Sequence, residues 1–336
     1  MFDNKIFFPI DIVYLWVDGN DEKFKSAKNK YLKSSSRTVD KYVDDVRDEI
    51  FCENNELKYS LRSIEKYASW INHIYIVTAL GQVPYWLNTN NKKITIIPQE
   101  SILPDDAGPI FNSCAVEACL CNIPNLSEHF LLANDDMFFN KPVKPDYFFD
   151  KSGRAKFHCI YRKNGRHIRD EKSMYLKLLI NSATAIEEAF GISLYNYKSS
   201  HGIDAYIKSS IKECCEHPVL SRYINNTKYH RFRDETDVHR LIFNLYDIIK
   251  KRADVIISHS RHIGHNLILD FIYNLVNYRS IKNSVFFCND AIESKVLSCK
   301  APVVCINDSI YSTKETREHN KQFFETKFPD KSEFEK

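Results

Sequence analysis

The stretch HFLLANDDMFF, residues 129–139, is an apolar run that Asn134, Asp135 and Asp136 interrupt before it resumes. An apolar run of this kind is typical of a strand that is buried on both faces. Burying a carboxylate without a partner is costly in free energy, so two adjacent carboxylates are not expected inside a core. The stretch therefore predicts a strand over residues 129–134, whose carboxylates either emerge at its end or face a cation.

Two other apolar runs end in the same way, IDIVYLWV at residues 10–17 and PVVCIN at residues 302–307. The acidic and amide residues at their ends are Asp18 and Asp21 for the first run, and Asn307 and Asp308 for the second. Each such cluster, taken alone, is most often a turn or a helix cap. Three of them at predicted strand ends favour a shared site, and their oxygen atoms suit Mg²⁺ or Mn²⁺.

The first 140 residues alternate between predicted strands and helices. Further strands are predicted at 73–79 and 93–98, and amphipathic helices at 57–68 and 111–123. This order indicates an α/β domain with a largely parallel sheet. In such sheets ligands bind at the carboxyl ends of the strands, which is where the acidic clusters lie.

The pattern changes beyond residue 140. A hairpin is predicted at 146–161, with Lys-Ser-Gly-Arg as its turn. Helical periodicity marks four later segments, which are 171–190, 204–216, 236–252 and 262–277. The tail from residue 313 is charged and is predicted to be helical or frayed.

Composition narrows the classes of function. The chain has 336 residues, and its net charge of +3 is too small to indicate nucleic-acid binding. It contains 8 glycines and no glycine-rich phosphate-binding motif, so a phosphate ester would be bound by cationic side chains or a metal ion. The 10 cysteines show no zinc-ligand spacing and are predicted to be reduced, largely buried thiols.

Cationic side chains of the required kind occur in HRFRDETDV, residues 230–238. Arg231 and Arg233 carry planar guanidinium groups that suit bidentate binding of phosphate, although a solvated loop is the simpler interpretation of the motif alone. His201, in SSHGID, is a candidate general base or phosphate partner, although most single histidines are structural or exposed.

Taken together and in this order, the motifs resemble the conserved regions of the Stealth family. They are IDIVYLWVDGND, NELKYSLRSIEKYASWINHIYIVT with QVPYWLN, FNS followed by IPNLSEHFLLANDDMFF, HRFRDETDV and CINDS, and they span residues 10–310. That family comprises hexose-1-phosphate transferases, including bacterial capsular polysaccharide phosphotransferases and the catalytic subunit of an animal GlcNAc-1-phosphotransferase.

The resemblance implies a Rossmann-like, GT-A-like core that binds a nucleotide-sugar, within one catalytic domain over residues 1–336. In this division, residues 1–145 form an α/β nucleotide-binding half, and residues 146–312 form a hairpin and helical part that completes the active site. Residues 313–336 are a charged tail.

The implied reaction moves a sugar-1-phosphate, such as GlcNAc-1-phosphate, from a UDP-sugar to an acceptor hydroxyl. It forms a phosphodiester in a capsular or cell-surface polysaccharide, releases UMP and uses Mg²⁺ or Mn²⁺, as in the 2.7.8 class of transferases. The first alternative is a metal-dependent glycosyltransferase that releases UDP. The second is a non-catalytic glycan-binding relative, which would be expected to lack the acidic or arginine residues that this chain retains.

The resemblance also implies roles for individual residues. His201 is expected to be the general base, Arg233 to bind phosphate, and Asp136 to lie near the metal ion. The residues expected to bind substrate are Asp18, Gly19, Asp21, Arg47, Asn55, Glu56, Arg62, Asn112, Ser113, Asn134, Asn181, Arg231 and Asp237. The expected metal ligands are Asp135, Asp136, Asn307 and Asp308.

Two departures from the family pattern leave acceptor specificity and the exact role of His201 open. Ile203 stands where the family usually has a proline, and Cys114 stands where it often has a histidine. The partners implied are a UDP-sugar and a glycan or lipid-linked acceptor, without nucleic acid, and a homo-oligomer remains open. No signal peptide or apolar run of membrane-spanning length is found, which predicts a bacterial cytoplasmic protein. Peripheral association with the inner face of the membrane is left open.

Overall fold

The computed structural model describes residues 6–34, 51, 53–162, 173–257, 299–307 and 312–336, and the strand backbones at 259–262 and 281–287. Arg47, Asp308 and most of the predicted helix at 262–277 lie outside the described residues. The strands are β1 Ile10–Leu15, β2 Ile74–Thr78, β3 Ile94–Pro98, β4 His129–Asn134, β5 Met137–Phe139, β6 Ala155–Tyr161, β7 Tyr197–Ser199, β8 Asp204–Ile207, β9 Ala253–Ile257, β10 His259–His262, β11 Ile281–Phe287 and β12 Val303–Asn307. The helices are α1 Glu22–Ser34, α2 Glu56–Tyr67, α3 Ser113–Glu117, α4 Met174–Phe190, α5 Lys208–Glu216, α6 Leu220–Tyr229, α7 Leu241–Ile249 and α8 Lys314–Lys327.

The central sheet has the strand order β3-β2-β1-β4-β8. The first four strands are parallel, and β8 pairs antiparallel to β4. This arrangement confirms the predicted α/β class with a mostly parallel sheet. Leu15 pairs with Asn134 in the register, so the carboxyl ends of β1 and β4 lie side by side.

Successive side chains of the sheet alternate between two cores, because neighbouring residues of a strand point to opposite faces. Val13 and Leu132 are buried in one cluster with side chains of α4 to α7. Tyr14 and Leu131 are buried in the other cluster with side chains of α2. The near-continuous apolar runs that predicted these strands follow from burial on both faces.

The chain leaves the central sheet at Asp135 and Asp136. Beyond them, β5 joins a second sheet of order β10-β11-β12-β5, in which Met137 pairs antiparallel with Cys305. The backbone N–H of Ile306 donates to the carbonyl oxygen of Asp136 at 2.9 Å. The polar interruption in residues 129–139 therefore occupies the turn between two sheets, with apolar strands on both sides of it.

Three predicted elements differ from the structure. The helix predicted at 204–216 is wrong in its first four residues, because 204–207 form β8 and pair with β4. The helix at 111–123 is limited to α3 and a short 3-10 turn at 120–122. The hairpin at 146–161 is reduced to one antiparallel bridge, Phe149 to Ala155, because β6 pairs instead with β7 and β9. In the first and third cases, pairing with strands distant in sequence overrides the local pattern.

The charged C-terminal segment forms a helix that packs on the core. Phe324 of α8 stacks on Tyr59 with ring centroids 5.1 Å apart and meets Phe138 edge-on. Farther along, Glu335 accepts two hydrogen bonds of 2.7 Å from the guanidinium of Arg62. Among the helices of the described residues, none is long and apolar enough to span a membrane.

We expect Arg62→Ala to lower the free energy of unfolding by about 1–3 kcal/mol, since it removes charge-assisted hydrogen bonds from a buried carboxylate. Urea denaturation measures the loss. Burial alone would raise the pKa of Glu335, but hydrogen bonds from Arg62 and Ser332 outweigh it and leave the pKa below its ordinary value. The contribution of Glu335 is therefore present above the unfolded pKa of about 4.3 and is lost as the pH falls. An effect of Arg62→Ala that grew at acid pH would contradict this assignment.

Candidate active site

A cavity of about 240 Å³ opens beside the carboxyl ends of β1 and β4. Its apolar wall includes Trp16, Phe24 and Phe111. Seven of the residues predicted from the sequence line it, namely Asn112, Ser113, Asn134, Asp135, Asp136, Arg233 and Asn307. Residues far apart in the chain thus converge on one cavity at the sheet edge where ligands bind in α/β folds.

Arg233 reaches the cavity from the loop between α6 and α7. Its Nη2 donates to Ser113 Oγ at 2.8 Å, which fixes the guanidinium beside the start of α3. The loop is held by the buried carboxylate of Asp237, which accepts from the Asn112 side chain and from the backbone N–H of Asp234, both at 2.8 Å. His230 Nδ1 lies 2.5 Å from the second Asp237 oxygen. Asp237 and Asn112 therefore position the arginine.

Two more of the residues predicted to bind substrate hold the same loop. The side chain of Asn181 donates to the carbonyl oxygens of Glu235 and Asp237, each at 2.8 Å. Arg231 donates from Nε to the carbonyl oxygen of Pro109, and its guanidinium lies 4.1 Å from the centroid of the Tyr31 ring. These contacts are structural, and of the two arginines only Arg233 lines the described cavity.

Asp135 and Asp136 make part of the cavity lining acidic. Burial raises the pKa of Asp135 well above its ordinary value, and the nearby charges of Asp136, Glu56 and Glu53 raise it further. Burial also raises the pKa of Glu56 to about 7. Carboxylates brought this close repel one another, and a bound cation would relieve the repulsion. The sequence analysis did not select Glu53, which follows only three apolar residues, at 50–52.

His201 lies next to the acidic turn. Ligand atoms of Asp136, His201 and Cys305 are all within 4.8 Å of one another, a spacing at which a metal ion could be held. Cys305 Sγ donates to Asp136 Oδ2 at 3.1 Å. His201 has φ 55°, in the left-handed region that non-glycine residues rarely adopt, and such conformations cluster at functional sites. The structure therefore brings together two of the residues predicted to be catalytic and adds Cys305, which the sequence analysis did not select.

The turn after β1 lies beside the cavity. The backbone N–H of Asp18 donates to Gln82 Oε1 at 3.1 Å, and its carboxylate accepts from the N–H of Asn20 at 2.8 Å. At Gly19, a Cβ atom would lie 2.2 Å from the carbonyl oxygen of Phe51, so the close approach requires glycine. This turn supports the lining residue Phe51, but Asp18 and Gly19 do not themselves line the described cavity.

Three other predicted residues occupy structural positions. Asp21 accepts from the N–H of Phe24 at 2.8 Å and thereby caps α1. Asn55, at φ 64°, precedes α2. Arg62 is committed to Glu335, so its position gives no support to the predicted contact with substrate.

A buried arginine, Arg240, connects elements that carry residues of the site. Arg240 Nη1 donates to Glu117 Oε1 and to Asn134 Oδ1, both at 3.1 Å. Its Nε lies 3.7 Å from Asp204 Oδ2. The network joins α3, β4 and β8, and the sequence analysis gave Arg240 no role.

Comparison with known proteins identifies relatives, one of which matches 98% of this chain. Residues 50–157 match Stealth protein conserved region 2, and residues 8–36 match conserved region 1. An exopolysaccharide phosphotransferase of Lactiplantibacillus plantarum is 30% identical over 98% of this chain and 97% of that protein. A capsular polysaccharide phosphotransferase of Haemophilus influenzae is 36% identical over 70% of this chain and 64% of that protein.

Solved structures were compared as well. The galactosyltransferase LgtC, in complex with donor and acceptor sugar analogues, aligns over 94% of this chain and 96% of that chain. The identity is 11% and the TM-score is 0.43.

Proposed function

Since this chain belongs to the Stealth family of polysaccharide phosphotransferases, we propose that it transfers a sugar-1-phosphate from a nucleotide-sugar to an acceptor hydroxyl. The donor proposed is a UDP-sugar such as UDP-GlcNAc, and the products are a phosphodiester in a surface glycan and UMP. The observation that carries the proposal is one cavity lined both by the cationic side chain of Arg233 and by the carboxylates of Asp135 and Asp136. A diphosphate needs both cationic groups and metal-binding oxygens, and this cavity offers both.

In the proposed reaction, the acceptor oxygen attacks the phosphorus that carries the sugar. The bond from that phosphorus to the bridging diphosphate oxygen breaks, and the nucleoside monophosphate leaves with the bond electrons. His201 takes the proton of the acceptor hydroxyl, and the neighbouring Asp136 carboxylate favours the imidazolium that results. Arg233 binds the phosphate oxygens, whose negative charge is greatest in the transition state.

The residues at the acidic side fit a divalent cation. Asp135, Asp136 and Asn307 offer oxygen atoms on one cavity wall, and Mg²⁺ prefers oxygen ligands. Cys305 is a soft ligand and does not suit Mg²⁺, so its thiol is assigned to the hydrogen bond with Asp136. A Mg²⁺ or Mn²⁺ ion held there would neutralise charge on the diphosphate of the donor.

The nucleotide released distinguishes this proposal from glycosyl transfer, which cleaves the bond at the anomeric carbon. The protein should be incubated with a panel of nucleotide-sugars, Mg²⁺ and a glycan acceptor, and the nucleotides separated by chromatography. Release of UMP supports sugar-1-phosphate transfer. Release of UDP would replace the proposal with a glycosyltransferase.

Arg233→Ala is expected to lower kcat for nucleoside monophosphate release by about 10²–10³-fold, the usual effect of removing one donor that stabilises transition-state charge. The matched control is Arg222→Ala, the same change at an exposed arginine on α6 that pairs with Glu188. Its turnover should equal that of the parent. Equal turnover of Arg233→Ala and the control would remove Arg233 from the proposed mechanism.

Mg²⁺ is expected to raise the melting temperature of the parent protein but not that of Asp135→Asn. Without metal, the variant should be at least as stable as the parent, since burial and the neighbouring carboxylates oppose the charge of Asp135. Thermal unfolding in EDTA and in Mg²⁺ measures both effects. If Mg²⁺ stabilised parent and variant equally, Asp135 would not be a ligand.

A further inference from the structure

A second, smaller cavity of about 30 Å³ is lined by Lys198, which stands three residues before His201 in the chain. Two cationic side chains and an apolar wall surround it, among them Arg162, Lys198, Leu176, Leu179, Tyr195 and Tyr197. Its volume has room for about two water-sized atoms, so it can admit the two non-bridging oxygens of a phosphodiester but not a sugar. None of these residues belongs to the machinery proposed above.

The two cations line the same small cavity. Neither Arg162 nor Lys198 forms an ion pair with any residue that the structure describes. Burial first, and then the charge of Arg162, lowers the pKa of Lys198 to about 8. Glu187, a carboxylate that contacts this wall, accepts a hydrogen bond of 3.1 Å from the Tyr195 hydroxyl. An anion between the two cations would relieve their repulsion.

This cationic pair is connected to His201 through one aromatic ring. Lys198 Nζ lies 5.0 Å from the centroid of the Tyr175 ring, and that centroid lies 6.2 Å from the centroid of the His201 ring. Lys198 Nζ and the centroid of the His201 ring are therefore at most 11.2 Å apart. A hexose with a phosphate on one side and a free hydroxyl on another can span a separation up to this limit.

The His239 ring meets the Tyr175 ring edge-on, with centroids 5.5 Å apart, so His239 and Lys198 contact the same aromatic ring. The pKa of His239 is lowered well below its ordinary value, first by burial and then by nearby cations that include Arg233, His201 and Lys198. Charges of the active site and of the cationic pair therefore act on the same histidine.

We propose that Arg162 and Lys198 bind a phosphodiester that the acceptor already carries, one sugar away from its attacking hydroxyl. The inference rests on the proposed function, since each transfer of a sugar-1-phosphate leaves a phosphodiester next to the new terminal sugar. That product is recognised as the next acceptor, and its non-bridging phosphate oxygens enter the cavity while its sugars stay outside. The enzyme accordingly extends an anionic glycan by repeated addition.

The test uses the reactivity of Lys198 and needs no turnover. The parent protein is treated with acetic anhydride near pH 8, where the Lys198 amine is partly deprotonated, and acetylation is read by mass spectrometry. The probe is methyl glucopyranosyl phosphate, a phosphodiester, and methyl glucopyranoside is its neutral counterpart. With the phosphodiester at about ten times its Kd, Lys198 acetylation should fall about ten-fold, whereas the neutral glycoside should give no protection.

Lys212, exposed on α5, serves as the internal control and should be acetylated equally in all samples. In Arg162→Gln, protection of Lys198 should require about ten-fold more of the phosphodiester, the effect of one lost charge-assisted hydrogen bond. Absence of protection would overturn the inference. Equal protection by inorganic phosphate would also overturn it, as would protection by UDP-GlcNAc alone, which would assign the cations to the donor.

Different experimental outcomes would contradict the proposed reaction and the proposed binding of an anionic acceptor. Protection of Lys198 in a protein that releases no nucleoside monophosphate from any donor would contradict the proposed reaction alone. Release of UMP by a protein whose Lys198 stays fully reactive would contradict the anionic acceptor site alone.

Discussion

His201→Asn is expected to slow sugar-1-phosphate transfer by about 10²–10⁴-fold, the range for loss of a general base. Asparagine is the informative replacement because, among non-glycine residues, it best tolerates the left-handed backbone found at His201, where φ is 55°. The change therefore removes the imidazole without adding backbone strain. The measurement is kcat for nucleoside monophosphate release at saturating donor and acceptor.

The control for this prediction is His319→Asn, the same change at an exposed histidine on α8. The two variants should have melting temperatures close to that of the parent, and only His201→Asn should lose turnover. The site also permits a second role, in which His201 is a metal ligand beside Asp136 and Cys305. The thermal stabilisation of His201→Asn by Mg²⁺ distinguishes the two roles. If His201 is the general base, Mg²⁺ should stabilise His201→Asn as much as it stabilises the parent. Loss of that stabilisation in the variant would show that His201 is a metal ligand.

The strands and the edge of the sheet that holds the site could be predicted from sequence because both depend on local patterns. Apolar runs buried on both faces gave β1, β2, β3 and β4 within two residues at each end. Parallel strands bring their carboxyl ends to one edge, so polar residues that follow such runs are expected to meet there. Asp135, Asp136 and Asn307 do so.

What the sequence did not predict depends on pairings between distant segments. Arg231 and Arg233 are equivalent in the motif, and only the fold shows that one packs on Tyr31 while the other lines the cavity. Asp21 and Asn55 were expected to bind substrate, but each immediately precedes a helix. Asp and Asn at such positions are typical helix caps, and this local signal could have identified their structural role. Arg240 stands 123 residues from its partner Glu117, and no local pattern links them.

Arg240→Met is expected to lower the free energy of unfolding by about 3–5 kcal/mol, the range for breaking a buried ion pair by removing one partner. Arg240, Glu117 and Asp204 are each 5% exposed or less, so the variant leaves two carboxylates buried without their cation. Urea denaturation followed by circular dichroism measures the loss. The exposed pair of Arg222 and Glu188 is the comparison, and Arg222→Ala should cost about 0–1 kcal/mol.

The pH dependence tests the cause of that loss. Burial already raises the pKa of Asp204 to about 6 while Arg240 opposes the rise, so removing Arg240 must raise the pKa further. A carboxyl whose folded pKa is raised favours the folded state below its unfolded pKa of about 3.9, and this stability is lost as the pH rises. The difference between parent and Arg240→Met should therefore be smallest near pH 4 and grow through pH 6 and above. Adding Glu117→Gln and Asp204→Asn to Arg240→Met removes the buried charges and should recover part of the stability. A loss independent of pH, and unrelieved by these two changes, would show that Arg240 stabilises the fold by packing and not by its charge.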